Sequence, residues 1–185
     1  MSGDPLSLVA MPFAALDDLV ERWRRPDGLG AHVTLLPPRP GVTGDLARAL
    51  AGEVALTARF ERVGRFGDRV VFLAPSDPEP LRALAQRLAG AFGVALTRPV
   101  VPHVTVARAR DVEDLGAVER VLRGVSLETE LSVVALYERG SSTWVVRERV
   151  SLPSDDGGAP VRRSERRAAS EIPPTLSQPT TIAPQ

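Results

Sequence analysis

The 185-residue chain contains no cysteine, and all 23 of its basic residues are arginine. Without cysteine it can form no disulfide and has neither a thiol nucleophile nor a cysteine ligand for a metal. Without lysine it can form no Schiff base and has no lysine-dependent phosphate-binding loop. Its formal net charge is zero, so no overall basic field attracts long nucleic acid. No apolar run could span a bilayer and no signal-peptide pattern opens the chain, so we expect a cytoplasmic protein without a membrane partner.

Histidine is also scarce, because the chain has only two and each opens a His-Val-Thr tripeptide. The two copies occupy residues 32–34 and 103–105. Both lie among apolar residues typical of a strand, in which successive side chains point to opposite faces. Each histidine should therefore share a face with its threonine, while the valine between them turns into a core. The repeat predicts one symmetric site built from two strands.

The elements predicted around the two copies follow one another in the same order. Each half gives a helix, the motif strand, a second helix and two further strands. The first helices are predicted at 13–25 and 78–92, and the second helices are predicted to be capped by Thr43 and Asp111. In the first of these helices Arg24 and Arg25 lie in the last turn, which suits the helix dipole.

The later strands are predicted at 54–60 and 69–73 in the first half, and at 125–137 and 143–152 in the second. We expect one domain over residues 1–152, with approximate lobes at 31–77 and 101–152. The lobes should pack about a pseudo-twofold axis, with both motif strands facing a central cleft.

The composition changes at about residue 153. Residues 153–185 are rich in Arg, Ser, Pro and Thr. They contain few apolar residues, and these follow neither helical nor strand spacing. Such a segment cannot repay its ordering entropy, so we predict a disordered tail. Acidic residues balance its arginine pairs, which favours a solvated segment over one that binds RNA or acidic lipid.

The paired histidines indicate acid–base chemistry. One imidazole can accept a proton near neutral pH while the other donates one. Cleavage of a phosphodiester needs both acts, so we predict His32 and His103 as the catalytic pair, with their order left open. Thr34 and Thr105 share the faces of these histidines and are predicted to bind the non-bridging phosphate oxygens.

Four further residues are candidates for substrate binding. Arg108 and Arg147 could each make a bidentate contact with phosphate, although an ideal strand turns Arg108 to the face opposite His103. Tyr137 and Phe66 lie near predicted strand ends and could stack on a nucleobase, although aromatic residues more often belong to a core.

Other interpretations of the motif are weaker. A single His-x-Thr is most often a partly buried histidine bonded to a hydroxyl, but here no histidine is used elsewhere. A metal site is not expected, because a third ligand such as Asp27, Asp45 or Asp111 would meet the histidines only by accident of folding. A serine hydrolase is not expected either, because the chain has no nucleophile elbow.

The paired motifs resemble the signature of the two-histidine phosphoesterases, in particular the branch of 2′-5′ RNA ligase-like RNA cyclic phosphodiesterases. The resemblance covers about residues 5–152 and is carried by residues 31–37, 60–66, 101–108 and 136–138. It implies an α+β fold of two lobes with antiparallel sheets, in which the two histidines and two threonines meet around one phosphate without a metal or other cofactor. The implied reaction opens a 2′,3′-cyclic phosphate at an RNA or nucleotide end, and ligation of 2′-5′ bonds is related chemistry in reverse.

The leading hypothesis is therefore a monomeric, metal-independent phosphodiesterase whose partner is an RNA 3′ end or a small cyclic nucleotide rather than DNA. A second hypothesis is a hydrolase of another cyclic or 2′-5′-linked nucleotide, such as 2′-5′ oligoadenylate or a cyclic ADP-ribose phosphate. A third, from a different class, is a module that binds a nucleotide or RNA end without turnover.

Overall fold

A computed structural model describes residues 5–42 and 44–154 of the chain. Within these residues the strands are β1 (Leu6–Pro12), β2 (His32–Pro40), β3 (Leu56–Phe66), β4 (Val70–Pro75), β5 (Val104–Arg108), β6 (Leu127–Leu131), β7 (Val133–Arg139) and β8 (Trp144–Ser151). The α-helices in the same part of the chain are α1 (Asp17–Trp23), α2 (Leu46–Ala49), α3 (Glu79–Ala91) and α4 (Leu115–Leu122). The α+β class is confirmed. Most of the predicted tail lies outside the described residues.

All eight strands of the described chain form one antiparallel sheet in the order β6-β3-β4-β5-β2-β1-β7-β8. The motif strands β2 and β5 occupy its centre. The hairpin β3–β4 follows the first motif in sequence but pairs with the second motif strand, whereas β7–β8 lies beside β1 and the first motif strand. The predicted lobes 31–77 and 101–152 therefore do not form separate sheets, since each half of the sheet takes strands from both segments.

The strand predicted at 125–137 is divided at Ser132. This one residue connects β6 with β7, which stand first and seventh in the strand order. A single residue cannot cross a flat sheet, because neighbouring strands lie about 4.8 Å apart. The sheet must therefore curl until its β6 edge approaches β7. The backbone N–H of Leu152, which directly follows β8, donates to the Ser132 carbonyl at 2.7 Å and so continues the pairing of β7 with β8 up to this junction.

Two helix starts differ from the predicted ones. The side chain of Asp45 accepts a hydrogen bond from the Arg48 N–H at the start of α2, and Asp114 accepts one from the Ala117 N–H at the start of α4. For α4, Asp114 is the cap in place of the predicted Asp111, because a turn precedes the helix. Thr43, the predicted cap of α2, lies outside the described residues. Such caps satisfy backbone N–H groups that have no partner inside the helix.

The core lies on the face of the sheet opposite the two histidines. Val33 and Val104, the central residues of the motifs, have no exposed surface. Helix α3 packs on β2 and helix α1 packs on β5 over this face. No helix in the described part of the chain has the length and apolar character needed to cross a membrane.

The loop between α1 and β2 depends on a glycine. Gly28 has a φ of +84°, and a Cβ there would lie 2.5 Å from the Trp144 carbonyl oxygen. We expect Gly28→Ala to lower the free energy of unfolding by more than 2 kcal/mol, because about 1–2 kcal/mol of left-handed backbone strain is joined by a backbone clash. Urea-induced unfolding measures this change.

Gly52→Ala is the matched control. Gly52 has nearly the same φ, +83°, but a Cβ there would meet nothing within 4 Å. Gly52→Ala should therefore lower the free energy of unfolding by only about 1–2 kcal/mol, the cost of the left-handed backbone. Equal losses for the two variants would contradict the importance of the close approach at Gly28.

Candidate active site

The two motif strands are neighbours and pair directly through their central residues. Val33 stands opposite Val104 in the antiparallel register of β2 and β5. In such a register His32 lies opposite Thr105, and Thr34 lies opposite His103. Directly opposed residues share a face, so all four side chains lie on the face away from the buried valines. The axis of pseudo-twofold symmetry passes between the two valines.

The pairing of β2 with β5 is short. Val33 and Val104 form the single ladder pair between these strands in the described chain, whereas the neighbouring strands share four or more pairs. The two strands therefore diverge on either side of this pair, which opens the sheet where the histidines stand. Diagonal neighbours across an antiparallel pair lie about 7–8 Å apart, which leaves room for a ligand atom between two imidazoles.

The two histidines are held in the same way. The Nδ1 of His32 lies 3.0 Å from the Gly30 carbonyl oxygen, and the Nδ1 of His103 lies 2.6 Å from the Val101 carbonyl oxygen. In each case the acceptor belongs to the residue two positions earlier. Because a carbonyl oxygen can only accept, Nδ1 carries the proton in both rings. Each neutral ring therefore keeps its lone pair on Nε2.

A β-bulge follows each motif at the same position. Residue 35 is the extra residue in the pairing of β2 with β1, where Val9 and Ala10 oppose Leu36 and Thr34. Residue 106 is the extra residue in the pairing of β5 with β4, where Val71 and Phe72 oppose Ala107 and Thr105. Each extra residue lies three positions after its histidine. A bulge shifts the alternation of side chains by one residue.

The second bulge explains the position of Arg108. In an ideal strand its side chain would face away from His103, but the bulge returns it to the histidine side, where it lines the same cavity as His32 and Thr105. The equivalent position after the first motif is Pro37. The pseudo-symmetric site is therefore asymmetric in charge.

Two cavities meet at the motifs. The larger one has a volume of about 880 Å³ and is lined by His32, Thr34, Thr105 and Arg108, among others. The smaller one has a volume of about 340 Å³ and is lined by Thr34, Phe66 and His103. Thr34 lines both, so the two histidines face a junction from opposite sides.

The electrostatic surroundings of the two histidines differ. Burial lowers the pKa of His32 to about 4, and the positive charges of Arg24 and Arg108 contribute to this lowering. The hydrogen bond to Gly30 and the negative charge of Asp27 act in the opposite direction. Burial also lowers the pKa of His103, where the bond to Val101 acts in the opposite direction. Two arginines therefore disfavour protonation of His32 beyond what burial does.

The most important residue that sequence reasoning missed is Arg24, which follows α1. It is 5% exposed, its Nη2 donates to the Gly30 carbonyl, and its Nη1 lies 3.5 Å from the Thr105 carbonyl. The Gly30 carbonyl thus accepts from both Arg24 and His32. One guanidinium therefore connects the backbone just before the first motif with the backbone of the second motif. The sequence did not reveal this role, because an arginine at the end of a predicted helix is usually an exposed cation.

Asp27 connects Arg24 with Arg108. Its carboxylate lies 3.6 Å from the Arg24 guanidinium and 3.2 Å from the Arg108 guanidinium. Burial acts to raise the pKa of Asp27, but Arg24, the Leu29 N–H and Arg108 together hold it below its ordinary value. From the sequence, Asp27 is named only as a third metal ligand that is not expected to meet the histidines. In the described residues no group of three or more His, Cys, Asp or Glu stands close enough to hold a metal ion.

Aromatic rings surround His103. The Phe66 ring centroid lies 4.9 Å from that of His103 with an edge-on geometry, and the Phe72 centroid lies 5.0 Å away. Phe66 is 40% exposed and lines the smaller cavity. The rings remove water from one side of the imidazole, and Phe66 offers an apolar surface to a ligand there.

Two of the predicted substrate-binding residues do not reach the cavities. Tyr137 is 2% exposed and lies in a small apolar cluster beneath the hairpin β7–β8. Arg147 points away and pairs with Glu138 at 2.5 Å. The aromatic residue of this hairpin that lines the larger cavity is Trp144. The structure brings together the two histidines, the two threonines, Arg108 and Phe66.

Comparison with known proteins agrees with this geometry. A family model described as the 2′-5′ RNA ligase superfamily matches residues 12–143, more than half of the chain. A crystal structure of a phosphoesterase superposes with a TM-score of 0.56 at 20% identity, covering 83% of this chain and 100% of that one. E. coli LigT in its apo form superposes with a TM-score of 0.55 at 21% identity, covering 83% and 100%. Its complex with 3′-AMP gives 0.55 at 20%, covering 80% and 98%.

Comparison with curated protein sequences gives no match. At about 20% identity the solved structures show a shared fold, and the family model supplies the assignment. The chain belongs to the 2′-5′ RNA ligase superfamily, and so to the two-histidine phosphoesterases that its paired motifs resemble.

Proposed function

We propose that the protein is a metal-independent phosphodiesterase that opens 2′,3′-cyclic phosphate ends of RNA or nucleotides. The observation that carries the proposal is the matched pair of Nδ1–carbonyl hydrogen bonds, which leaves one Nε2 from each side free to exchange a proton. General acid–base catalysis by a positioned imidazole contributes about 10²–10⁴-fold for each group.

His32 is the general base in this mechanism and His103 the general acid. Arg24 and Arg108 disfavour the charged form of His32, so its Nε2 is available to take a proton from water. The water oxygen forms a bond to phosphorus, and the bond from phosphorus to one ribose oxygen breaks. His103 gives its proton to that oxygen. With an RNA 5′-hydroxyl in place of water, the same two proton transfers break the bond to the ribose 3′-oxygen and form a 2′-5′ bond.

Thr34 and Thr105 bind the non-bridging oxygens in this proposal. They share the histidine face, and Thr105 lines the larger cavity while Thr34 lines both cavities. Arg108 adds a guanidinium held by Asp27 at 3.2 Å. Fixed donors aimed at developing charge stabilise the transition state more than the ground state. Phe66, beside His103, is suited to stacking on the base of the nucleotide.

The related structures support a ligand of nucleotide size. E. coli LigT forms complexes with 3′-AMP, NADP+ and ATP. The alternatives remain hydrolysis of another cyclic or 2′-5′-linked nucleotide, which a substrate panel separates, and binding without turnover. In the latter case calorimetry would detect affinity while phosphodiester cleavage stayed at background.

We expect His32→Asn and His103→Asn each to lower kcat/KM for a 2′,3′-cyclic nucleotide by about 10²–10⁴-fold, with excess EDTA present throughout. Asparagine keeps a donor near the position of Nδ1 but has no counterpart of Nε2. Wild type should retain full activity in EDTA. Product release followed by chromatography measures the rates.

Arg147→Met is the control for this pair, because Arg147 lies outside both cavities. Urea unfolding of every variant verifies that the fold survives. Full activity in either histidine variant, or loss of wild-type activity in EDTA, would rule out the two-histidine mechanism.

The pH dependence of kcat/KM should follow the two histidines. His32 must be unprotonated, so the rate should fall as the pH decreases through about 4. His103 must be protonated, so the rate should fall as the pH rises through its pKa, which burial places below 6.5. We therefore expect a bell-shaped profile with its maximum below pH 6.5. A maximum above pH 7 would contradict these assignments.

We expect Arg24→Met to raise the pKa of His32 by about one unit. The substitution removes a positive charge close to His32, because Arg24 and His32 both donate to the Gly30 carbonyl. The other charged groups around His32 are Asp27 and Arg108, and Arg25, Arg69, Arg110, Asp111 and Arg139 line the same cavity. Since the chain has only two histidines, NMR titration can follow each ring separately.

The His103→Asn variant assigns the two NMR signals in this titration. Arg22→Met, on the exposed side of α1, is the charge-matched control and should leave the pKa of His32 unchanged. An unchanged His32 titration in Arg24→Met would show that Arg24 does not set the protonation state of the base.

A further inference from the structure

The larger cavity extends across the sheet well beyond the motifs. Besides the residues around His32, it is lined by Arg69 at the start of β4 and by Arg139 at the end of β7. Each of these strands stands two places from β2 in the sheet, on opposite sides. An arginine of the cavity therefore lies on either side of the motif strands.

The cavity carries an excess of positive charge that the whole chain does not have. Five arginines and two aspartates line it, while the formal net charge of the chain is zero. Asp27 is engaged by Arg24 and Arg108, and Asp111 lies 3.8 Å from Arg25 and 3.7 Å from Arg110.

Arg69 and Arg139 differ from the other arginines of the cavity. Within residues 5–42 and 44–154, neither has a carboxylate oxygen within 4.0 Å of its guanidinium. Both therefore face the cavity without an acidic partner in that part of the chain. An unneutralised guanidinium that lines a binding cavity is suited to an anionic group of the ligand.

Arg139 is also held in place. Its guanidinium carbon lies 5.5 Å from the centroid of the Trp144 ring, a cation–π contact. The Trp144 ring packs on the small apolar cluster of Leu8, Ala10, Leu29, Ala135 and Tyr137.

The backbone of Trp144 fixes this hairpin to the loop that precedes His32. Its N–H donates to the Asp27 carbonyl at 3.0 Å, and Gly28 lies directly against its carbonyl oxygen. The position of Arg139 is therefore fixed relative to the reacting centre through residues 27–32.

We propose that Arg139, supported by Trp144, binds a second phosphate group of the substrate, so that the substrate carries a phosphate beside the one that reacts. The inference rests on the proposed function and narrows its substrate class to phosphorylated nucleotides or oligonucleotide ends, as opposed to cyclic mononucleotides with a free 5′-hydroxyl. The guanidinium is suited to this group because its planar fork matches two phosphate oxygens. The Trp144 ring supports Arg139 and does not itself provide the contact.

The test crosses two substrates with two variants. The substrates are a 2′,3′-cyclic nucleotide with a free 5′-hydroxyl and the same nucleotide with a 5′-phosphate. We expect wild type to favour the 5′-phosphorylated substrate. Arg139→Met should lower kcat/KM for that substrate by about ten- to a hundredfold, the range for a hydrogen bond to a charged group, and change the other by less than about twofold. Arg147→Met, in the same hairpin but outside the cavity, should change neither.

Equal losses on both substrates in Arg139→Met would overturn the proposal, because they would indicate a structural effect. The absence of any loss would overturn it as well. If wild type turns over neither substrate, the proposed function fails, and calorimetry then tests the subsite alone. In that case a nucleoside 3′,5′-bisphosphate should bind more tightly than the 3′-monophosphate in wild type but not in Arg139→Met, and equal binding in wild type would overturn the inference.

Discussion

The pairing of Val33 with Val104 is the constraint on which the rest of the site depends. This one antiparallel pair joins the two motif strands, buries both valines and thereby turns four polar side chains to the opposite face. Because the pair is isolated, the strands diverge on either side of it and the sheet opens between the histidines. A longer ladder would close this space with backbone hydrogen bonds. The open space between the histidines thus results from a ladder of only one residue pair between β2 and β5 in the described chain.

The symmetry of the backbone is broken by the side chains around it. Each motif has the same histidine–carbonyl bond and the same bulge three residues later. Charged residues surround His32, whereas two phenylalanine rings pack against His103. Two equivalent imidazoles would compete for the same role, because acid and base must differ in protonation state. The unequal surroundings give the two rings different charged and apolar neighbours, while the matched hydrogen bonds orient both rings in the same way.

Arg24 shows how a residue outside the cavity lining can act on a motif histidine. It is buried, donates to the carbonyl that also orients His32, and is linked through Asp27 to Arg108 in the cavity. Burying a guanidinium is costly unless its donors are satisfied and its charge is paired. Here the partners are the Gly30 and Thr105 carbonyls and the Asp27 carboxylate, while the Nε has no hydrogen-bond partner among the described residues. The same network therefore stabilises the loop before β2 and sets the charge near His32.

The predicted order of elements, together with the family resemblance of the paired motifs, predicted the α+β class. Local pattern alone nominated the two histidines, the two threonines and Phe66. Residue order could not predict which hairpin pairs with which motif strand, because strand pairing is a non-local contact. It also could not predict the bulges that return Arg108 to the site, the burial of Tyr137 or the position of Arg24, since each depends on what packs against it. The sequence by itself determined which groups are the candidates for proton transfer. The tertiary structure decided how those groups face one another, because only the curled sheet brings residues some seventy positions apart into one cleft.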